Sequence, residues 1–321
     1  MWITPPLIVI LGPTASGKSA LAVEIARLAG GEVVSADSRQ VYRGLDIGSG
    51  KITKREMRGI PHHLLDIADP KRQFSVARYK KLADRAIADI VKRGRLPILC
   101  GGTGFYSNAV AENISLPEVS PDNTLRKELA KKRAPELYTM LQKLDPMRAE
   151  TVEEGNPRRL IRAIEIAKAL GEVPRAHAGK RNHKVLYIGL NPGEQALREN
   201  IHSRLLARMG RGMVAEAKKL RARGISLRRM EELGLEYRYL ALYLQNKISR
   251  EAMLQEIEAK SWQFAKRQMR WWKRNEKIQW FEDKSSARRY ILRTLAIQLG
   301  FRDHDLALSR MPFPDRIVSW P

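Results

Sequence analysis

Short apolar runs alternate with amphipathic segments along the N-terminal part of the chain. The apolar runs have the length and composition of buried strands and cover residues 7–11, 32–36 and 96–100. Between them, apolar residues at helical spacing predict a helix over 18–28 and another from Ser75, a good capping residue, to Gly94. Because alternating strands and helices are typical of a parallel sheet covered by helices, we expect an α/β fold.

The pattern changes after about residue 112. From there to residue 182 no strand-like run occurs, and the apolar spacing predicts two amphipathic helices, near 124–144 and 157–170. This region has the pattern of a helical insertion. The elements predicted after it are a strand at 185–190, basic helices to about 275, a short strand at 278–281 and a helix at 285–299.

The predicted domain organisation is therefore an interrupted core. Its segments are the first part of the core at 1–112, the helical insertion at 113–182, the second part of the core with basic helices at 183–300, and a C-terminal tail at 301–321. The tail is polar and contains prolines, a composition that indicates poor order.

The chain carries a large positive charge. It has 59 lysine and arginine residues against 35 aspartate and glutamate residues, a formal net charge of +24. Such a surplus favours an extended polyanion as partner, nucleic acid first and an anionic membrane surface second. A soluble enzyme from a lysine-rich proteome would have the same surplus, so charge alone leaves these alternatives open.

The cysteine content and the length of the apolar runs limit the kinds of site the protein can contain and the compartment in which we expect it. Cys100 is the single cysteine, so a disulfide framework and a multi-cysteine metal site are excluded. The N-terminus lacks the pattern of an export signal, and no apolar run approaches the roughly 18 residues that span a bilayer. We therefore expect a cytosolic protein with no membrane partner.

The strongest chemical signal is a glycine-rich sequence directly after the first predicted strand. It fits the pattern G-x-x-x-x-G-K-[ST] and consists of Gly12, Pro13, Thr14, Ala15, Ser16, Gly17, Lys18 and Ser19. Such a loop curls backbone N–H groups around phosphate oxygens, and the N-terminus of the following helix adds partial positive charge. Lys18 would supply a full charge and the Ser19 hydroxyl a ligand for Mg²⁺. The sequence therefore predicts a phosphate-binding loop with a magnesium ion.

The strand at 96–100 ends without the acid that ATP-hydrolysing proteins usually carry there. An NTPase holds Mg²⁺ through an acidic residue at the end of a later apolar strand. Here the strand runs into Gly101, Gly102, Thr103 and Gly104, which offer a hydroxyl and backbone N–H groups instead. This composition disfavours ATP hydrolysis and suits a site that stabilises a departing diphosphate.

Asp37 directly follows the second predicted strand. Ligands of open α/β sheets bind outside the carboxyl ends of the strands, so Asp37 should lie beside the phosphate-binding loop. There it could act as a general base. The alternative is that it caps the next helix, and the residues alone leave both roles open.

Several motifs together resemble the tRNA dimethylallyltransferase (isopentenyltransferase) family. Besides the loop at 12–19, they are D-S-R-Q-V-Y at 37–42, P-H-H-L-L-D at 61–66, G-G-T-G-F-Y at 101–106, N-P-R-R-L-I-R-A-I-E at 156–165, A-R-G at 222–224 and Q-F-A-K-R-Q at 263–268. They occur in the family's order, and their combination is more specific than the loop alone, which many kinases share. Phe105, Glu236 and Arg270 depart from the family pattern without touching the expected chemistry.

The resemblance implies a sheet of the P-loop NTPase type and a defined reaction. A dimethylallyl group passes from dimethylallyl diphosphate to the N6 amine of an adenosine in tRNA, usually the one on the 3′ side of the anticodon. Asp37 would accept the amine proton as general base. The loop N–H groups, Lys18, Mg²⁺ on Ser19, Thr103 and Arg223 would hold the diphosphate.

The resemblance also implies that tRNA is bound as substrate. The residues expected to contact it are Asp37, Ser38, Arg39, Gln40 and Thr103 at the pocket, Arg158, Arg159, Leu160, Ile161 and Arg162 on an inserted helix, and Lys266 and Arg267 in the basic region. The alternative for the inserted helix is a solvated basic face, and for Gln40 an ordinary surface loop. We expect a monomer, because tRNA binding needs no symmetric partner.

Three other functions stay open at this point. A small-molecule or nucleotide kinase would share the loop but would need ATP. An adenylate prenyltransferase would act on free nucleotide and would not need a basic insertion. A non-catalytic RNA-binding switch would bind nucleotide without chemistry, and the presence of Asp37 together with Thr103 argues against it.

Overall fold

The computed structural model describes residues 5–175, 179 and 184–299. Its core is a six-stranded sheet in which every neighbouring pair of strands is parallel. The strands are β1 (Leu7–Leu11), β2 (Gly31–Ser35), β3 (His62–His63), β4 (Leu96–Cys100), β5 (Val185–Leu190) and β6 (Gln279–Phe281). Their order across the sheet is β3-β2-β4-β1-β5-β6. The predicted α/β fold is therefore confirmed.

The described chain also contains helices, which are joined to each other and to the strands by turns and loops. In chain order they are α1 (Lys18–Leu28), α2 (Lys54–Met57), α3 (Val76–Lys92), α4 (Gly104–Ala111), α5 (Asn123–Leu129), α6 (Ala134–Leu144), α7 (Pro146–Thr151), α8 (Pro157–Leu170), α9 (Glu194–Gly210), α10 (Met213–Ala222), α11 (Leu227–Glu232), α12 (Leu235–Leu244), α13 (Arg250–Trp272) and α14 (Lys284–Gln298). Ser75 begins α3 as predicted, because its hydroxyl accepts a hydrogen bond from the N–H of Arg78 at 3.2 Å.

The two faces of the sheet are covered by separate hydrophobic cores, and β1 contributes to both. Val9 and Leu11 belong to the core formed with α3 and with α10 to α13. Ile8 and Ile10 belong to the core formed with α1 and α14. Side chains alternate across a strand, and a strand buried on both faces is apolar throughout. This burial fixes β1 at the centre of the sheet and thereby fixes the loop that follows it.

The helices α5 to α8 form a second compact unit. The chain divides into Met1–Glu112 with Arg181–Pro321, which contains the sheet, and Asn113–Lys180. The second unit has its own apolar core, in which Leu137, Leu141, Leu160 and Ile164 are fully buried. The predicted helix near 124–144 is in fact two helices, α5 and α6. Pro135 lies in the first turn of α6, where a missing N–H costs no helical hydrogen bond.

Two further predictions concern the C-terminal tail and membrane-spanning segments. The predicted C-terminal tail at 301–321 lies outside the described residues. Among the residues that are described, no helix has both the length and the apolar character needed to cross a bilayer.

Candidate active site

The glycine-rich loop joins β1 to α1 at the carboxyl edge of the sheet. Gly17 has a φ of 88° and caps α1 without any side-chain hydrogen bond, so no side chain occupies the N–H groups at the start of this helix. Gly12 has a φ of 154°, and a Cβ there would lie 2.6 Å from the carbonyl oxygen of Leu190. The loop therefore needs glycine at both positions and presents a helix N-terminus suited to an anion.

Lys18 folds back over this loop. Its Nζ donates a hydrogen bond to the carbonyl oxygen of Pro13 at 3.1 Å. Burial lowers the pKa of the Lys18 ammonium, and the positive charge of Arg204 lowers it further, against the opposing effects of Cys100 and Asp37. An anion bound on the loop would favour the charged ammonium and so offset the cost of burying it.

Asp37 lies just beyond the end of β2 and organises a tight turn. Its Oδ1 accepts hydrogen bonds from the backbone N–H groups of Arg39 at 2.8 Å and Gln40 at 3.3 Å. No helix starts at this turn, so Asp37 is not a helix cap, the alternative that the sequence left open. Within the described residues Oδ2 has no hydrogen-bond partner. One oxygen therefore orients the carboxylate and the other is available for a ligand.

Thr103 is joined directly to this turn. Its Oγ1 accepts a hydrogen bond from the backbone N–H of Ser38 at 3.0 Å and lies 3.2 Å from Ser38 Oγ. The backbone N–H of Thr103 donates to the carbonyl of Ala36 at 3.1 Å. At Gly101 an added Cβ would overlap the backbone of Ala36, so only glycine allows this approach. The turns after β2 and β4 are thus one hydrogen-bonded unit.

Gln268, to which the sequence assigned no role, connects this unit to the phosphate-binding loop. It lies on α13 and is buried. Its Oε1 accepts a hydrogen bond from the N–H of Thr14 at 2.9 Å, and its Nε2 donates to the carbonyl of Gly102 at 2.6 Å. One amide thereby sets the spacing between the loop after β1 and the turn after β4. Its position inside the Q-F-A-K-R-Q motif was the only sequence signal.

Arg204 is a second residue that the sequence did not single out. It lies on α9, and its charge acts on both Lys18 and Asp37. In the described part of the chain its guanidinium has no salt bridge and no hydrogen bond. The side chain of Arg223, expected at the diphosphate, lies beside Gly44, where an added Cβ would be 3.2 Å from Nη1. Among the described residues Arg223 forms no hydrogen bond with Lys18, Asp37 or Thr103, so its role at the diphosphate stays a prediction.

The other residues expected near the pocket have local partners. Gln40 Nε2 donates to the carbonyl of Gly50 at 3.4 Å, and Arg39 Nη1 donates to the carbonyl of Glu232 at 3.3 Å. On α13, Lys266 and Arg267 are exposed and lie 5.6 and 5.8 Å from the ring centroids of Trp262 and Phe264. These cations therefore form an aromatic-lined basic surface on the outer side of the helix that carries Gln268.

In the inserted unit, the predicted tRNA-binding residues differ in their exposure. Arg158 is exposed and forms no salt bridge with any residue that the structure describes, and Arg159 lies 3.3 Å from Glu153 in an exposed pair. Arg162 forms a salt bridge with Glu165 and donates to the carbonyl of Val119. Leu160 is fully buried in the unit's own core and Ile161 is half-buried against it. The side chain of Leu160 does not reach the surface, so a contact of this residue with tRNA, which stays a prediction, would have to use its main chain.

The side-chain metal ligand that the sequence predicts at the loop is the hydroxyl oxygen of Ser19. Across the described residues, no group of three or more histidine, cysteine, aspartate or glutamate side chains could hold a metal ion. Ser19 is exposed at the start of α1. Mg²⁺ usually keeps several waters and binds through few protein oxygens together with phosphate groups. The donor set therefore fits a magnesium ion that arrives with a phosphate ligand, and it does not fit a metal cage made by the protein alone.

Comparison with known proteins agrees with this geometry. Residues 40–275 match the family model described as IPP transferase. The chain is 42% identical over 280 residues, 86% of this chain and 92% of the relative, to tRNA dimethylallyltransferase 1 of Geotalea uraniireducens. It is 42% identical to tRNA dimethylallyltransferase 2 of Citrifermentans bemidjiense, with 91% of this chain and 95% of the relative covered.

Solved structures are similar as well. The crystal structure of the tRNA isopentenylpyrophosphate transferase of Bacillus halodurans matches with a TM-score of 0.68 and 37% identity, covering 92% of this chain and 97% of that one. A eukaryotic dimethylallyltransferase structure matches with a TM-score of 0.76 over 93% of this chain and 81% of its own, at 23% identity. The second match shows a shared fold.

Replacing Gln268 by alanine tests whether this residue organises the phosphate-binding loop. The change leaves the N–H of Thr14 and the carbonyl of Gly102 without their partner, at a cost of about 1–3 kcal/mol for each buried group. We expect the affinity for inorganic diphosphate, measured by titration calorimetry, to fall by about tenfold. Gln263→Ala changes an exposed glutamine on the same helix and should bind as the wild type does. Equal affinity of both variants would remove Gln268 from the site.

Proposed function

This chain belongs to the IPP transferase family, and from that premise we propose that it transfers a dimethylallyl group from dimethylallyl diphosphate to the N6 amine of a tRNA adenosine. The bond between the first carbon of the donor and its bridging oxygen breaks, and the diphosphate leaves with the electron pair. The adenine nitrogen bonds to that carbon and gives up a proton. The observation that carries this proposal is the assembly of the phosphate-binding loop, Asp37 and Thr103 at one edge of the sheet.

Asp37 is proposed as the general base. Its Oδ1 is fixed by the two N–H groups of the turn, and Oδ2 faces no partner among the described residues. An ionised carboxylate that is held by one oxygen can accept the amine proton on the other without losing its orientation. Ser38, Arg39 and Gln40, on the same turn, are proposed to position the adenine.

The leaving diphosphate is proposed to lie between the loop and Thr103. We propose that it is held by backbone N–H groups of the phosphate-binding loop other than that of Thr14, which Gln268 occupies, together with the Lys18 ammonium and the Thr103 hydroxyl. The electrostatic effect of Arg204 on Lys18 and Asp37 supports adding Arg204 to this set. Fixed donors and cations around the leaving group stabilise the charge that develops on it, and this is usually the largest contribution to such a reaction.

Mg²⁺ is proposed as the cofactor, with Ser19 as its ligand from the protein. When bound, it would neutralise charge on the diphosphate oxygens. A divalent metal with a diphosphate substrate is general for prenyltransferases, and Ser19, an exposed residue at the start of α1, carries the hydroxyl that we propose as its ligand here.

Binding of tRNA is proposed to use two basic surfaces. One is the outer side of α13, with Lys266 and Arg267, and the other is the exposed part of α8, with Arg158 and Arg159. The formal net charge of +24 supports a polyanionic substrate of this size. Because tRNA is a cytosolic substrate that needs no symmetric partner, we propose that the protein acts as a cytosolic monomer.

A nucleotide or small-molecule kinase is disfavoured. β4 ends at Cys100, and Gly101 and Gly102 follow it. No carboxylate therefore lies at the end of this strand, where an NTPase holds its metal. The relatives are named as tRNA-modifying enzymes, which favours tRNA over free AMP as acceptor as well.

The donor and the acceptor can be tested together. The protein is incubated with Mg²⁺ and radiolabelled dimethylallyl diphosphate, separately with tRNA, with AMP and alone. We expect label in tRNA only, and ATP hydrolysis at background. Label in AMP would favour the adenylate prenyltransferase, and tRNA-independent ATP turnover would favour the kinase.

The role of Asp37 is tested by two substitutions. Asp37→Asn keeps an oxygen that accepts from the N–H groups of Arg39 and Gln40, whereas Asp37→Ala removes it. Both should lower the single-turnover rate of prenyl transfer by roughly 10²–10⁴-fold, since neither can accept the proton. Their tRNA affinity should change little. A near-normal rate for Asp37→Asn would show that Asp37 only shapes the turn.

The contribution of the inserted unit is tested by Arg158→Ala combined with Arg159→Ala. We expect weaker tRNA binding and a log–log salt slope that is reduced by somewhat under one for each phosphate that the variant no longer neutralises. The matched control is Lys127→Ala with Lys143→Ala, which removes two exposed cations from the same unit. If both double variants bind tRNA equally well, α8 is a solvated basic face, the alternative that the sequence left open.

A further inference from the structure

A second concave site in the sheet-containing unit carries positive charge that the proposed chemistry does not use. It is a cavity of about 300 Å³ between the segment that follows Asp37 and the turn from α9 to α10. Its charged lining residues are Asp46, Glu216, Arg211, Lys219 and Arg223. None of the residues of the phosphate-binding loop lines it, so it is distinct from the diphosphate site.

The carboxylates of the two acidic residues of this lining already have partners within the protein. The buried Glu216 carboxylate accepts hydrogen bonds from the Tyr237 hydroxyl at 2.7 Å and from three successive backbone N–H groups, those of Asp46, Ile47 and Gly48, at 2.9, 2.6 and 2.9 Å. Asp46 Oδ1 forms a salt bridge with Lys51 at 2.6 Å. These contacts hold the cavity wall in place, because they occupy the oxygens of Glu216 with hydrogen-bond donors and pair Asp46 with a cation.

The three cations of the lining have no such partners. Within the described residues, the side chains of Arg211, Lys219 and Arg223 form no salt bridge and no hydrogen bond. Their ends meet at the cavity from the α9–α10 turn and from α10, and Arg223 Nη1 approaches Gly44 on the opposite wall. Because like charges repel, three unpaired cations around one cavity favour an anion between them, and guanidinium groups match the geometry of phosphate oxygens.

We propose that this cavity binds a backbone phosphate of the RNA substrate, a few nucleotides away from the adenosine that reacts; the assignment rests on the proposed function. The position of the cavity at the far end of α9 from the phosphate-binding loop supports an RNA rather than a separate ligand. Asn200 on this helix contacts the loop carbonyl of Ala15, and Arg208 contacts the carbonyl of Gly48 at the cavity side. Eight helical residues span about 12 Å. Arg204 on α9 and Arg211 just after it place further positive charge between the phosphate-binding loop and the cavity.

Paired variants test the assignment with RNA binding as the readout. Lys219→Ala with Arg223→Ala removes two cavity cations. The control, Lys218→Ala with Arg228→Ala, removes two exposed cations outside the cavity, so both double variants have the same net charge. Binding of a synthetic anticodon stem-loop RNA is measured without donor at several salt concentrations. We expect at least a fivefold loss of affinity and a log–log salt slope that is smaller by somewhat under one, as for one phosphate, in the cavity variant only.

Neutral phosphate analogues then locate the contact. In a series of RNAs, each carrying one methylphosphonate near the target adenosine, one position should weaken binding to the wild-type protein and have no further effect on the cavity variant. Absence of any such position, or equal losses in both double variants, would overturn the proposal. Inorganic phosphate, titrated calorimetrically, tests the other source of this ligand. If it binds in a way that depends on Lys219 and Arg223 while RNA affinity does not, the cavity is a free-phosphate site and the proposal fails.

This readout separates the proposal from the proposed function. RNA binding is measured without prenyl donor, so it reports on the cavity even if no dimethylallyl group is transferred. Loss of transfer in the wild-type protein would contradict the proposed function, whereas unchanged RNA binding by the cavity variant would contradict the cavity assignment alone. Thermal denaturation of both double variants should match the wild type, because all four side chains are exposed.

Discussion

The candidate site depends on the close approach of the turn after β4 to the end of β2. Only glycine at position 101 leaves room for the backbone of Ala36, and this contact brings the Thr103 hydroxyl to the turn that Asp37 organises. The parallel sheet supplies the common edge, and Gln268 sets the distance to the loop after β1. The protein's own hydrogen bonds therefore place these groups without a ligand, and donors placed in advance of the reaction stabilise a leaving group.

The sequence predicted most of the strands. β1, β4 and β5 were predicted with their observed bounds and β2 and β6 within one residue. β1 and β4 are the clearest cases, since strands buried on both faces are apolar throughout. β3 has only two residues, His62 and His63, and no apolar pattern reveals a strand of that length. The break between α5 and α6 was missed because the apolar spacing continues across it, although Pro135 marks the start of the second helix.

The site residues that the sequence missed are those whose partners are distant along the chain. Gln268 and Thr14 are separated by 254 positions, and no local pattern reports such a contact. Arg204 lies in a helix with several other basic residues, and its position in the sequence does not distinguish it from a solvated arginine. The expected role of Arg223 came from the A-R-G motif and stays a prediction; the motif does not reveal that the side chain lies beside Gly44. Local motifs identified the loop and its acid, and only the packing of α9 and α13 reveals which distant side chains surround them.

The place of the inserted unit in the chain has a consequence for how the protein is made. β1 lies between β4 and β5 in the sheet, yet β5 begins at Val185, after the whole of Asn113–Lys180. At about 5–20 residues per second, a ribosome needs roughly 10–35 s to go from the end of β1 to the end of β5. During that interval one edge of the strand that carries the phosphate-binding loop lacks its neighbour, while the insertion can fold around its own core. Gln268 is synthesised later still, so the site is completed only when nearly all of the chain has been translated.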